Sequence, residues 1–477
     1  MPRRPIRVTG APQAPLRAAL AALRAELGVP AGFPPEVLAE AERAARDPAL
    51  PVEDATDIPF ATVDPPTSTD LDQAFHLSRQ GTGYRVRYAI ADVAAFVVPG
   101  GALDAEAHRR VMTLYFPDAR TPLHPPVLSE GAASLLPGHT RPAVLWTIDL
   151  DAHGNPLTVD LRRALVRSRA RLDHAGVQRE LDSGTAEEPL ELLRTVGRLR
   201  EALEADRGGI SLNVPEQQIT EHDHGYDLAY RAPLPAEGFN AQLSLLTGMA
   251  AADLMLTCGT GVLRTLPAAP DGAVGRLRLS ARALRVDWPH HVSYAALVRS
   301  LDPREPRHAA FLQECTALLR GAGYTVFRDF DLPEITTHSA VAAPYTHCTA
   351  PLRRLADRYT TEICLAAAAG QPVPEWVLAA LETLPEEMAG GGRRAAQVER
   401  GSIDIVEAAL LEDRVGEVFD ACVIDLADDR PTTGTVHLES PAIVGRVDGD
   451  TLPLGEHLRV RLTEADPGTA KVRFVPA

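Results

Sequence analysis

The chain has 477 residues, more than one hydrophobic core normally serves, so we expect two or three domains. The formal net charge of −16 disfavours a protein that binds nucleic acid over its whole surface, because such binding depends on Lys and Arg neutralising phosphates. The sequence has no apolar run long enough for a membrane span, no signal-peptide h-region and no C-x-x-C pair among its five cysteines. We therefore expect a soluble, cytoplasmic protein whose cysteines are reduced core thiols rather than zinc ligands or disulfides.

Bulk charge does not describe a channel, and the arginines of this chain are unevenly distributed. They concentrate in three groups, namely Arg162, Arg163, Arg167, Arg169 and Arg171; Arg353, Arg354 and Arg358; and Arg393 and Arg394. A basic groove inside an acidic shell is compatible with this distribution.

In chain order, apolar residues at helical spacing over 12–27 and after Pro35 predict a small helical N-terminal unit, residues 1–57. Mixed strand and helix patterns follow over 58–412 and predict a large α+β domain. Its strands include FATV and the alternating YRVRYAIADVAAFVV, and its helices are expected at 240–258, 307–322, 351–369 and 392–413. Five short strands over 413–477 predict an OB-type β-barrel.

The segment VDPPTSTDLDQAF places three aspartates close together in the chain. Asp70 and Asp72 are two residues apart, so in extended backbone they project to the same side, and Asp64 lies across a Pro-Pro turn from them. Converging carboxylates repel unless a cation lies between them, and oxygen ligands suit Mg²⁺ or Mn²⁺. The alternative is that these aspartates only cap turns.

This segment resembles the RNB catalytic domain of RNase II, RNase R and Dis3, whose motif has the form D-x5-D-x-D-D. Asp64, Asp70 and Asp72 match its first three aspartates, whereas Gln73 stands at the fourth position. By resemblance these four residues are the metal ligands, Asp72 is also catalytic, and the neutral amide of Gln73 places a second metal in doubt.

A second segment, PYTHCTAPLRRLADRY, resembles the second RNB signature. The resemblance implies that Arg353 stabilises charge on the scissile phosphate and that Arg354 contacts RNA. We expect Thr349 to cap a helix entered through Pro351, with Arg353 in its first turn. Without the family, both arginines would be interpreted as solvated helix residues, one of them paired with Asp357.

Further RNA-binding residues follow from the same resemblance, and for Tyr115 the structural alternative is a core aromatic. Tyr115 matches a tyrosine that stacks near the RNA 3′ end, and Leu212 stands where a partner aromatic is usual. Gln242 and Glu399 match positions where glutamates lie near the active site. Asp92 is expected to have a structural role. The cold-shock domains usual before an RNB domain are not expected in the residues that precede it, and the C-terminal barrel resembles an S1 domain.

The sequence therefore predicts a monomeric 3′–5′ exoribonuclease that uses Mg²⁺, with Mn²⁺ as the alternative ion, to hydrolyse single-stranded RNA from its 3′ end to nucleoside 5′-monophosphates. A different interpretation is a catalytically weak RNA-binding protein on the same scaffold. Another is a DNA exonuclease.

Overall fold

The computed structural model describes residues 6–9, 14–222, 225–270, 272–319, 321–427, 430–438, 441 and 443–477. The N-terminal segment contains β1 (Ile6–Thr9), α1 (Ala14–Glu26) and α2 (Pro35–Arg46). Both predicted helices are confirmed, whereas the short strand was not expected. Leu16 and Leu20 pack in one cluster with Val398 and Val406 of a later helix, so the helical unit braces the large α+β domain.

The next stretch forms a closed five-stranded barrel with additions. Its elements are β2 (Phe60–Val63), β3 (Gln73–Gln80), β4 (Gly83–Ala91), α3 (Ala102–Arg110), β5 (Leu114–Tyr115), β6 (Arg120–Thr121), β7 (Thr140–Leu150) and β8 (Pro156–Leu172). The barrel order is β2-β3-β4-β7-β8, and parallel pairing of β2 with β8 closes it. Trp146 and Tyr88 are fully buried, as alternation along β4 and β7 predicts.

Helices and two strands follow the barrel. They are α4 (His174–Ser183), α5 (Glu188–Asp206), β9 (Glu216–His222), β10 (Gly225–Arg231) and α6 (Pro235–Cys258). By length and composition α6 is apolar enough to cross a membrane, with half of its most apolar window buried. Its residues Phe239, Leu243, Leu246 and Met255 belong to the largest core cluster, which accounts for that apolar character.

The remaining part of the large domain is mostly helical. It comprises β11 (Gly261–Thr265), α7 (Ala273–Ala283), α8 (Tyr294–Ser300), α9 (Pro306–Cys315), β12 (Gly323–Phe327), β13 (Thr337–His338), β14 (Ala343–Pro344), α10 (Leu355–Ala368), α11 (Glu375–Ala380) and α12 (Leu384–Leu411). The helix expected at 307–322 tightens into a 3₁₀ turn after Cys315, and the last helix begins earlier than expected, at Leu384.

The C-terminal residues form a second closed barrel, as predicted. Its strands are β15 (Val418–Ala427), β16 (Arg430–Leu438), β17 (Val444–Asp448), β18 (His457–Asp466) and β19 (Lys471–Pro476), in the order β15-β16-β17-β19-β18. Leu411 at the end of α12 joins the core of this barrel. On another side, Ser280 Oγ of α7 donates to the Ile424 carbonyl of β15 at 3.3 Å. The large α+β domain therefore contacts this barrel through the helices α7 and α12.

Candidate active site

The aspartate segment connects β2 to β3 and is held at several points. The Asp64 amide donates to Leu172 O at 3.1 Å, which ties the end of β2 to the end of β8. Two prolines then end the strand because they lack amide hydrogens for the ladder. Ser134 Oγ accepts from the Leu71 amide at 2.9 Å, which holds the chain between Asp70 and Asp72. The backbone that carries the aspartates is therefore held by contacts that do not involve their carboxylates.

Asp72 is the most buried of these carboxylates, with 3% of its surface exposed. Its Oδ1 accepts from the Leu352 amide at 2.8 Å. Its Oδ2 is buried, has no hydrogen-bond partner and lies 3.4 Å from Arg353 Nε. The side chain therefore joins the aspartate and arginine segments and keeps one oxygen available.

Burial controls the electrostatics of the cluster. Burial is the main cause that raises the pKa of Asp64 to about 6. Arg353 opposes this rise, and the nearby Asp70 contributes to it. Burial also raises the pKa of Asp72 to about 7, with Arg353 and the Leu352 amide opposing it and Asp70 reinforcing it. A bound cation would favour both ionised forms.

Asp70 has a different partner. It forms an ion pair with Arg120, whose other nitrogen is 2.8 Å from Glu130. The Asp70 carboxylate is therefore already paired. Among the described residues, no group of three or more His, Cys, Asp or Glu side chains is placed so that it could hold a metal. The expected convergence of three carboxylates on one point is therefore not present, although Asp70 lies close enough to Asp64 and Asp72 to raise the pKa of each.

Gln73 is the first residue of β3, and both ends of its side chain are hydrogen bonded. Its Nε2 donates to the Thr349 carbonyl, and its Oε1 accepts from Tyr88 Oη at 2.9 Å. Tyr88 Oη in turn contacts Ser244 Oγ at 2.8 Å. In this structure Gln73 links the barrel to the arginine segment, and its role as a metal ligand stays a prediction.

The arginine segment forms a turn instead of the start of a helix, which corrects the sequence-based expectation. The helix α10 begins at Leu355 after Arg354, and no side chain caps it, so Thr349 is not its cap. Asp357 in its first turn accepts from the Ala350 amide at 2.7 Å and from two nitrogens of Arg354 at 2.7 and 2.8 Å. Arg353 precedes the helix, with 43% of its side chain exposed.

Tyr115 reaches the same place through backbone pairing. The Thr113 amide donates to Arg353 O at 3.1 Å, and Met112 forms a β-bridge with Arg354. The Tyr115 side chain is 40% exposed and hydrogen bonded to the Arg353 guanidinium. It is not a core aromatic, which removes the structural alternative for this residue.

A cavity of about 630 Å³ opens beside these groups. Four residues selected from the sequence line it, namely Tyr115, Arg353, Arg354 and Glu399. It is also lined by Arg393, from a predicted basic group, and by three residues that were not predicted, Arg264, Tyr324 and His347. His347 stood within the second signature, whereas the pairing of β11 with β12 brings in Arg264 and Tyr324, and no local pattern indicated them.

Two predicted RNA-binding residues lie elsewhere. Gln242 is 3% exposed, and its Nε2 donates to Glu204 Oε2 at 2.6 Å, so it belongs to the contact between α5 and α6 and is not available to RNA. Leu212 is partly buried and packs against the cluster that contains Leu266 and Leu319. It is not among the residues that line the cavity.

The arginines of β8 are largely neutralised. Carboxylates pair with Arg162, Arg163 and Arg169. The partner of Arg163 is Asp92, which confirms the structural role expected for that aspartate. Arg171 of the same strand instead donates to Ser68 O of the aspartate segment at 3.1 Å. The basic character of the site therefore comes from the cavity arginines and from Arg171.

Two closed barrels and a cavity that brings arginines next to buried carboxylates are typical of proteins that act on nucleic-acid phosphates. The RNB domain model matches residues 52–369, and the model of the RNase II-type exonuclease C-terminal S1 domain matches residues 417–477. The chain belongs to the RNB domain family and carries a C-terminal S1 domain of the RNase II type.

Individual relatives are distant. Ribonuclease R of Aquifex aeolicus (strain VF5) is 25% identical over 455 residues, covering 87% of this chain and 63% of that protein. The chain thus spans less than two thirds of that relative. The apo form of Mycoplasma genitalium RNase R superposes with a TM-score of 0.82 at 19% identity, covering 97% of this chain and 78% of that one. Yeast Ssd1, described as a pseudonuclease, superposes with a TM-score of 0.65 at 16% identity, covering 89% and 54%.

Proposed function

We propose that this protein is a Mg²⁺-dependent 3′–5′ exoribonuclease that hydrolyses single-stranded RNA to nucleoside 5′-monophosphates. The observation that carries the proposal is the cavity, because Tyr115 and Arg353 line it and Arg353 Nε lies 3.4 Å from the buried carboxylate of Asp72. We also retain, as predictions from the sequence, a cytoplasmic location and a monomeric state.

The donor set fits one divalent cation. Asp72 Oδ2 is buried without a hydrogen-bond partner, and both Asp64 and Asp72 have pKa values raised by burial. Asp64 and Asp72 would hold the ion, and Asp70 would join them once released from Arg120. Mn²⁺ satisfies the same oxygen ligands. When bound, such an ion would supply a hydroxide nucleophile at neutral pH and stabilise charge on the phosphate.

The chain's own residues account for positioning. The Arg353 guanidinium, held by Asp72 and by Tyr115, faces the cavity and suits the charge that develops on a scissile phosphate. The exposed ring of Tyr115 offers a stacking surface for a terminal base. Arg264 and Arg393 attract the phosphates on either side of that base, whereas contact of Arg354 with RNA stays a prediction because Asp357 pairs with it.

The test is an Asp72→Asn variant incubated with a 5′-labelled oligoribonucleotide and Mg²⁺. We expect at least about a hundredfold slower shortening, with RNA affinity largely retained, because the change removes a charge at the reacting centre and not a phosphate contact. Asp149→Asn is the matched control, since Asp149 pairs with Arg85 away from the cavity. Wild-type rates for Asp72→Asn would contradict the assignment.

The second candidate is an RNA-binding protein that does not cleave. Two observations favour it, the ion pair of Asp70 with Arg120 and the double hydrogen bonding of Gln73. The fold alone does not decide, since yeast Ssd1 shares it and is described as a pseudonuclease. Stable complexes of wild-type protein with RNA and Mg²⁺, without shorter products, would support this candidate. A parallel DNA substrate separates ribonuclease from deoxyribonuclease activity.

A further inference from the structure

A second basic region lies outside the cavity, on α7 and the turn after it. Between Asp271 and Asp287 the sequence contains four arginines and no acidic residue. This is a local reversal of sign in a chain whose net charge is −16. The helix itself, Ala273–Ala283, carries three arginines and no carboxylate. No carboxylate among the described residues forms an ion pair with these arginines.

Three of the arginines share one face. Arg278 and Arg282 are four residues apart, so they are neighbours on the helix surface, and Arg285 continues the same row. Together with Asp287 and Trp288 they line a groove of about 350 Å³. Arg282 and Arg285 are exposed. The groove thus has three positive charges and one negative charge.

The backbone and an aromatic ring hold this arrangement in place. Arg285 has φ 54°, in the left-handed region where a residue with a side chain costs about 1 kcal/mol and where glycine usually ends a helix. The Arg278 guanidinium lies 4.2 Å from the centre of the Trp288 ring and donates to Trp288 O at 3.1 Å. Arg285 thus occupies an unfavourable backbone position, and Arg278 is fixed by stacking. Both observations indicate that the positive charges of these arginines have a role.

The helix that carries the groove, α7, contacts a domain of an RNA-binding type. Ser280 of α7 donates to the backbone of β15, the first strand of the S1 barrel. Along the chain, α7 follows β11, whose Arg264 lines the active-site cavity.

We propose that the groove formed by Arg278, Arg282 and Arg285 binds the phosphate backbone of the RNA upstream of its 3′ end. This inference rests on the proposed function, since it takes RNA as the substrate. The contact is electrostatic and independent of sequence, because guanidinium groups that bind phosphates do not read bases. Its effect depends on RNA length, since a short oligomer that only fills the cavity does not reach the groove.

The test is the double variant Arg282→Gln with Arg285→Gln, which removes two charges and leaves Arg278 on Trp288. The matched control is Arg17→Gln with Arg43→Gln, an equal loss of charge from exposed positions on α1 and α2. Fluorescence anisotropy in EDTA measures binding of one long and one short 5′-labelled oligoribonucleotide. The rate at which the short oligomer is shortened in Mg²⁺ measures the activity of the active site.

For the groove variant we expect about tenfold weaker binding of the long RNA near 0.15 M salt, and a salt slope smaller by about 1.4, since each phosphate contact on a single strand contributes about 0.7. Binding and shortening of the short oligomer should match wild type. Equal affinity of the two double variants for long RNA would overturn the inference and leave the groove to another polyanion. A wild-type protein that neither binds nor shortens RNA would instead contradict the proposed function.

Discussion

At residue 73 a side-chain amide makes two hydrogen bonds of opposite sense. Gln73 donates to the carbonyl of Thr349 and accepts from the hydroxyl of Tyr88. A carboxylate accepts only, so at this position it would face the Thr349 carbonyl oxygen without a proton between them. The departure from the family's fourth aspartate is thus matched by a contact that only an amide makes.

The residue-scale prediction concerns Gln73→Glu, which has nearly the same shape as glutamine. We expect a loss of about 1 to 3 kcal/mol in the free energy of unfolding, because the Thr349 carbonyl loses its donor and faces a charge. Urea unfolding measures it. Gln80→Glu, at the exposed end of the same strand, is the control and should change stability little. A Gln73→Glu protein as stable as wild type would show that the link to Thr349 carries no energy.

At the scale of elements, α5 and α6 pack against each other, and α5 also contacts β3 of the first barrel. Gly197 lies where a Cβ would come within 2.6 Å of the Phe239 side chain. The helices approach this closely because glycine has no side chain. Glu204 and Gln242 form a hydrogen bond across the same contact, which explains why Gln242 is buried and does not line the cavity.

The element-scale prediction is that Gly197→Ala destabilises the protein by about 1 to 3 kcal/mol, since the buried Phe239 must move to admit the methyl group. Gly275→Ala is the control, because a Cβ there meets nothing within 4 Å. That change should stabilise α7 by up to about 1 kcal/mol, as alanine favours helix. Thermal unfolding distinguishes the two, and equal shifts in Tm of the same sign would contradict the packing argument.

Over the whole molecule, buried groups with shifted pKa values couple stability to pH in opposing directions. Burial lowers the pKa of His124 to about 4, and burial raises the pKa values of Asp64 and Asp72. As pH falls from about 6.5 to about 4, the unfolded state takes up a proton at His124 that the folded state does not, so stability is lost. The two aspartates gain protons in the folded state first, which has the opposite effect.

The whole-molecule prediction therefore compares how the free energy of unfolding depends on pH in wild type and in a His124→Gln variant. His124→Gln removes the histidine proton, so its free energy of unfolding should fall less steeply than that of wild type between about pH 6.5 and 4. The difference approaches about 1.4 kcal/mol per pH unit for one proton. Urea unfolding at several pH values measures it. Replacing His290, which is exposed, by Gln is the control, and identical pH slopes for wild type and His124→Gln would show that His124 protonates in the folded protein.

Much of the fold was predictable because it depends on local patterns. The two N-terminal helices and α6 follow from apolar residues at helical spacing, and the S1 strands follow from alternation interrupted by turn residues. Element ends were predicted less well. The start of α10 moved to Leu355 because the turn before it is held by Asp357 and by contacts with Met112 and Thr113, which are distant in the chain.

The sequence by itself determined the chemical groups of this protein. It identified Asp64, Asp70, Asp72 and Arg353, and its two motifs indicated the family, because those residues lie in short segments with fixed spacing. Only the tertiary structure decided which groups meet. It paired Asp70 with Arg120, buried Gln242, and brought Arg264 and Tyr324 to the cavity, since strand pairing and helix packing join residues whose separation in the chain leaves no local signal.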